Sequence, residues 1–263
     1  MRGAGDARSA GERSAAVRAR EIATFDALAA SPEGFDPFLP EGWAVLGRRF
    51  LAASPPAQGW VVDVGCGSGA SRAVYSPVGG RYLGIDLSLV ALDRARQHPG
   101  RRERWLRADA LRLPLADGTA AVVAFSSVLH HLPDLDAALA EARRALRPGG
   151  LVFAFDPNLL HPAMALFRHP RSPFYVATGV SPDERPLAPS VLRSAFAAAG
   201  FVRIGQRGQS GIAYRAVAPR GFQRGLALFN LVDRGFEAAG LGRWFGTFVV
   251  TWGRCPGDVT APA

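Results

Sequence analysis

A glycine-rich turn and three aspartates are the residues of this sequence whose types and spacing could hold a ligand. VVDVGCGSGAS, residues 61–71, runs from branched apolar residues through Asp63 into Gly65, Cys66, Gly67 and Gly69. Such a turn between a strand and a helix start can hold an anion or a dipole. Its glycines let backbone approach the ligand, and free N–H groups point at it. Asp86 closes RYLGID, and Asp109 follows ERWLRA. A second constellation, His130, His131 and Asp156, offers an imidazole base steadied by a carboxylate, which suits removal of a hydroxyl proton. No metal site is expected.

Elements of alternating type must position these groups. GWVVDV, RYLGIDL, ERWLRAD, TAAVVAFSSV and LVFAFDP read as strands, and helical runs fall between most of them. Ser88 is placed to cap the helix SLVALDRARQH; Asp134 stands near the start of DLDAALAEARRALRPGG, with Gly149 past its end. This order predicts an α/β fold, a doubly wound, mostly parallel sheet with right-handed crossovers. The aspartates then stand at the carboxyl ends of strands one, two and three, along one crevice edge. Beyond residue 157 the alternation breaks: PSVLRSAFAAAGF is a helix, VRIGQRG a strand and RWFGTFVVTWG a last strand, bringing the sheet to seven.

Two cofactors compete for the glycine turn. Gly65, Gly67 and Ala70 fit a dinucleotide fingerprint, with Asp86 about 20 residues on as the ribose acid. Against it, Asp63 inside the strand gains a pyrophosphate nothing, whereas it could attract an ammonium group. The motifs in order, VVDVGCGSG, LGIDLS, RADALRLPLADG, FSSVLHHLPD and LAEARRALRPGGLVFAFDP, resemble those of class I S-adenosylmethionine-dependent methyltransferases, particularly the quinone and natural-product group. The resemblance covers about residues 58–156 and implies a Rossmann-like methyltransferase fold.

It also implies roles for individual residues. Gly65, Gly67 and Gly69, with Cys66 among them, would hug the methionine and ribose part of S-adenosylmethionine. Asp63 would lie near its amino group, and Asp86 would accept from both ribose hydroxyls. Asp109 would accept from the adenine amino group, with Ala110 offering a backbone N–H and Leu87 packing on the ring. Ser126 would contribute backbone at the methionine end. His131 is the expected base for a hydroxyl acceptor, assisted by His130 or Asp156. A base of this kind is unnecessary for an acceptor that is already nucleophilic.

The resemblance and the insertions together divide the chain. Residues 1–20 read as a disordered tail, 21–57 as a helical cap that resembles a cofactor-covering segment, with Phe25 and Trp43 as lining residues, and 58–156 as the cofactor-binding core. A lid insertion follows at 157–187, then a core helix and strand at 188–208, a lid over the acceptor at 209–243, the final strand at 244–255 and a tail at 256–263. Phe222, Leu226, Phe229 and Phe236 fall close to one helical face, with Arg220, Arg224 and Arg234 elsewhere on that helix. Helical lids of this composition fit a small hydrophobic acceptor and transient contact with an acidic membrane surface.

The formal charge of +9 invites an anionic partner, but the 31 basic residues are all arginine and lie scattered among acids. We read them as a solvated surface and as the composition of a GC-rich bacterial genome. Nucleic acid is disfavoured further, because SSVLHHLPD stands where amino-group nucleic-acid methyltransferases carry an Asn/Asp-Pro-Pro-aromatic motif. Two cysteines cannot form a disulfide framework, and no apolar run reaches about 18 residues, so a cytoplasmic location is expected.

Overall fold

The computed structural model describes residues 3–31, 36–53, 58–75, 78, 80–97, 100, 102–173, 175, 181, 183–212 and 220–257, without the side chains of 3–14, 220–226 and 228. Seven strands form one sheet in the order β3-β2-β1-β4-β5-β7-β6. They are β1 (Trp60–Val64), β2 (Arg81–Asp86), β3 (Glu103–Arg107), β4 (Ala120–Ser126), β5 (Leu146–Pro157), β6 (Val202–Gln209) and β7 (Phe248–Arg254). β1 to β5 pair in parallel, while β7 runs antiparallel to both β5 and β6. The expected doubly wound, mostly parallel seven-stranded sheet is the one observed.

The strand sequences explain this order. All seven residues of β4 are buried, as its run of Ala, Val and Phe requires of a central strand covered on both faces. β3 and β6 carry Arg104, Arg107 and Arg203 outward and lie at the two edges, where charge discourages pairing with another chain. Alternation sends Val62, Val64, Val123, Phe125, Val152 and Val249 to one face of the sheet. Val61, Val122, Phe153, Phe155, Phe248 and Val250 go to the other.

On the first face, α5 (Leu135–Ala145) buries Ala138, Leu139, Ala142 and Ala145 as a helical stripe, and α7 (Pro189–Ala198) buries Leu192, Ala195 and Phe196. On the second, α2 (Pro40–Ala53) buries Leu46 and Phe50, and Phe50 meets Tyr75 and Phe153 edge to face. α3 (Arg72–Tyr75) and α4 (Leu89–Arg96) follow β1 and β2. Both expected caps form: Ser88 Oγ accepts from Ala91 N at 3.0 Å, and the Asp134 carboxylate accepts from Ala137 N at 2.9 Å. Asp134→Ala is expected to cost about 1 kcal/mol of stability, measured by urea denaturation, because one helix-end donor loses its partner.

Three expectations meet a different structure. Residues 3–20, expected as a disordered tail, belong to α1 (Gly3–Ala30), a 28-residue helix. Alanine and arginine favour helix, and its second half packs on the sheet's carboxyl edge. Arg243, Trp244 and Phe245, expected to open the last strand, lie in α9 (Gly242–Phe245); Gly246 ends it before β7 begins. α8 (Arg220–Ala238) does fill the second insertion, but it docks on the core: Asp233 accepts from Gly211 N and Thr247 Oγ1 at 2.6 and 2.5 Å. Phe229 and Phe236 flank His161, at the head of α6 (Pro162–Phe167). The side chains of Phe222, Leu226, Arg220 and Arg224 lie outside the described residues.

Candidate active site

Strand order reverses between β1 and β4, and the crevice outside their carboxyl ends opens there. It holds a cavity of about 260 Å³. The glycine turn forms its floor. Gly65 N and Cys66 N both donate to Ile85 O, at 2.8 and 3.1 Å, which fastens the turn to β2. Gly65 has φ 75°, and a Cβ there would lie 2.5 Å from Val128 Cβ, so only glycine fits. Asp86 clamps the same turn from the next strand. Its Oδ2 accepts from Gly67 N at 2.8 Å and its Oδ1 from Ser88 N at 2.9 Å. Burial raises its pKa against these backbone donors.

Asp109 stands beyond Asp86 along the same edge. Its Oδ1 accepts from Leu111 N at 2.9 Å, and Arg18 of α1 donates to its Oδ2. α1 roofs the cavity with Val17, Glu21, Ile22, Phe25 and Leu28, and Asp26 accepts from Ser88 Oγ at 2.5 Å. Behind the floor, Asp63 is fully buried and accepts three hydroxyl protons, from Ser71 and Tyr82 at 2.6 Å each and from Ser126 at 2.5 Å. Burial, only partly offset by these donors, pushes its pKa up to about 6.

The far end of the cavity carries ionisable groups. Leu129, His130 and His131 form a 3-10 turn after β4. His130 is buried, and its Nδ1 lies 2.9 Å from Asp156 Oδ1, which also accepts from His130 N at 3.1 Å. Burial, then the charge of His131, holds His130 well below the usual imidazole pKa, and burial pushes Asp156 up to about 7. His131 stacks edge-on against Phe25, with Nδ1 3.1 Å from Ser181 Oγ and 3.1 Å from a Glu21 oxygen. Burial depresses His131, but Glu21, Glu184 and Asp156 outweigh it and leave its pKa raised.

Residues 62–154 match a family model described as a methyltransferase domain. Over that stretch the chain is similar to the class I S-adenosylmethionine-dependent methyltransferases. Over 153 residues it is 30% identical to the ubiquinone/menaquinone biosynthesis C-methyltransferase of Desulfotalea psychrophila, an alignment covering 54% of this chain and 62% of that one. It is 35% identical to the malonyl-[acyl-carrier protein] O-methyltransferase of Serratia marcescens, over 41% of this chain and 42% of that protein. Among solved structures, phosphoethanolamine N-methyltransferase 2 of Haemonchus contortus in complex with S-adenosyl-L-methionine shares the fold. There the TM-score is 0.61 at 16% identity, with 89% of this chain and 56% of that one covered.

Most of the expected cofactor residues come together. Gly65, Cys66, Gly67, Asp86, Leu87, Asp109, Ala110 and Ser126 line the cavity, as do His130 and His131. Asp63, Gly69 and Asp156 do not: the two acids stand behind the lining, and a Cβ on Gly69 would lie 2.8 Å from the Trp105 ring, so packing demands that glycine. Cys66 lines the cavity as an inert thiol, its pKa raised by burial. Sequence reasoning missed Arg18, Glu21, Glu184 and Ser181, and also Ser127, whose φ of 55° is unusual for a non-glycine residue. No described side chain of α8 lines the cavity, although residues 209–243 were expected to cover the acceptor; α6 contributes Met164, followed by Arg168.

The buried carboxyl of Asp63 links the protein's stability to pH. A pKa near 6 against 3.8 means that the native state holds the proton more tightly, so stability falls as pH rises between about 4 and 6. The ionised form costs about 3 kcal/mol at pH 7. Asp63→Asn removes that slope: its stability relative to the parent should rise by about 2 to 2.5 kcal/mol from pH 4 to pH 7 in denaturant titrations. Any packing loss from the substitution is a constant offset, so the pH trend carries the test. A pH-independent difference would mean that Asp63 is not titrating in this range.

Proposed function

We propose that the protein transfers the methyl group of S-adenosylmethionine to an oxygen of a small, largely apolar acceptor. The observation that carries this reading is one continuous cavity joining the glycine turn, Asp86 and Asp109 at one end to His130 and His131 at the other. Asp86 can accept from the ribose hydroxyls, because each of its oxygens takes one backbone donor and keeps a lone pair. Asp109 and Ala110 face the adenine, Leu87 packs on it, and the turn holds the methionine end. Asp63 acts through the hydroxyls of Ser71 and Ser126, both of which line the cavity.

Methyl transfer is an in-line displacement, so the protein's work is orientation and, for a hydroxyl, proton removal. The histidine pair provides the second, with Asp156 fixing His130. Phe25, Phe38, Trp43 and Met164 supply apolar wall. The malonyl-[acyl-carrier protein] relative is named an O-methyltransferase, which favours oxygen; the Desulfotalea relative is named a C-methyltransferase, and transfer to carbon is the second reading.

Calorimetric titration with S-adenosylmethionine, its demethylated product and NAD tests the cofactor reading. Binding of the first two with NAD silent is the expected result; binding of NAD alone overturns it. An acceptor screen with the labelled methyl group then reads the transfer, and label recovered on carbon alone overturns O-methylation.

A further inference from the structure

The acceptor end of the cavity holds more ligating groups than proton transfer requires. One ligand atom from each of His130, His131 and Glu184 lies within 4.8 Å of the others. His130 Nδ1 is engaged by Asp156, which leaves Nε2 with the lone pair, and that atom lies 4.0 Å from Glu184 Oε1. With Nδ1 as the protonated nitrogen, an imidazole lone pair and a carboxylate oxygen face each other at a distance longer than a hydrogen bond. His131 repeats the arrangement: its Nδ1 is occupied by Ser181 and a Glu21 oxygen, leaving Nε2 as its remaining donor atom. Glu21 is 8% exposed, and neither of its oxygens makes an aligned hydrogen bond. A buried carboxylate in that state is held by a cation beside it, whether the charged His131 ring or a bound ion.

We propose that His130, His131 and Glu184 form a site for one divalent first-row transition ion, with Glu21 as outer carboxylate or fourth ligand. Two imidazoles and a carboxylate suit zinc, manganese, iron(II) or cobalt rather than magnesium or calcium, which take oxygen ligands. The separation of 4.0 Å between Nε2 and Oε1 is about half an ångström wider than two tetrahedral ligands about 2.1 Å from a shared ion would show, so the Glu184 side chain closes by that amount when the ion binds. Asp156 behind His130 Nδ1 matches the carboxylate–histidine–metal pattern, in which an outer acid fixes the ring and raises its basicity, and Glu21 stands 3.1 Å from Nδ1 of His131. Of these five groups all but Asp156 line the cavity, so the ion keeps positions open toward it. An acceptor oxygen would take one of them, set against the methyl donor, and with the ion bound its charge, in place of a free ring nitrogen, would favour loss of the hydroxyl proton; this use rests on the O-methylation reading, whereas the site does not.

The test needs neither cofactor nor acceptor. The full chain, freed of metal by chelation, is titrated with Co²⁺ and followed by visible absorption, then with Zn²⁺ by calorimetry. One ion per chain is expected, with cobalt bands of mixed nitrogen and oxygen coordination. Glu184→Gln and His131→Asn should each weaken binding roughly tenfold or more. Both variants are checked for an unchanged metal-free melting temperature and retained S-adenosylmethionine binding. Where one fails to fold, the other carries the comparison. Absence of saturable binding overturns the site, and so does binding that both folded variants retain at full affinity, which would put the ion elsewhere. Neither failure touches the methyltransferase reading, which the S-adenosylmethionine titration decides separately.

Discussion

Asp86→Ala is expected to weaken S-adenosylmethionine binding by at least tenfold, and by about 100-fold if both ribose hydrogen bonds are lost. Hydrogen bonds to a charged acceptor contribute about 1.5 to 3 kcal/mol each, and two at the lower figure give about 3 kcal/mol. The loss has a second source, because Gly67 N and Ser88 N donate to the same carboxylate and would be left without it. The turn then loses its clamp to β2 on one side while Gly65 N and Cys66 N still hold Ile85 O. Melting temperature separates the two effects. A variant that melts close to the parent but binds weakly has lost ligand bonds; one whose melting point also drops has lost the clamp. Unchanged calorimetric affinity would remove Asp86 from the cofactor site. The product of transfer should suffer alongside S-adenosylmethionine, since both carry the ribose.

The legible parts of this site are those written in local sequence. Asp86 and Asp109 could be placed because each follows an apolar run that ends where a turn must begin, and the sheet does put both on the crevice edge. Gly65 could be recognised as obligatory, though its reason, the Val128 side chain, is remote in sequence. Gly69 shows the limit of that logic: the motif drew it toward the ligand, but its missing side chain makes room for Trp105 of the edge strand. Glu184 and Ser181 sit in an irregular stretch with no periodicity, so nothing local marks them. The roof was harder to miss than it looked. Val17, Glu21, Phe25 and Leu28 recur at helical spacing, and that face lines the cavity. Phe25 was legible there as a lining residue of the cap, and arginines and alanines concealed only the part before residue 21, since the same composition serves a solvated tail.

His131→Ala is expected to lower turnover on a hydroxyl acceptor by about 10²- to 10⁴-fold while S-adenosylmethionine affinity stays within about twofold, the pattern of a group that acts on the acceptor rather than on the cofactor. Interpretation depends on Glu21, because the same imidazole also ties α1 to the core. Loss of that tie would loosen the roof, and a loosened roof should weaken cofactor binding. Glu21→Gln is the control: if it reproduces the turnover loss and raises the S-adenosylmethionine dissociation constant, His131 acts as a latch. If it leaves turnover largely intact, His131 acts on the acceptor. His130 supplies a further discriminator, since the two rings lie 4.0 Å apart and share the charge of the same buried carboxylates. Residues that work as a unit are not additive, so His130→Ala on top of His131→Ala should cost little more than the first substitution. Full turnover in His131→Ala with the true acceptor would instead mean that the acceptor atom is nucleophilic without help. The reaction would then be transfer to carbon or nitrogen, driven by proximity within the same cavity.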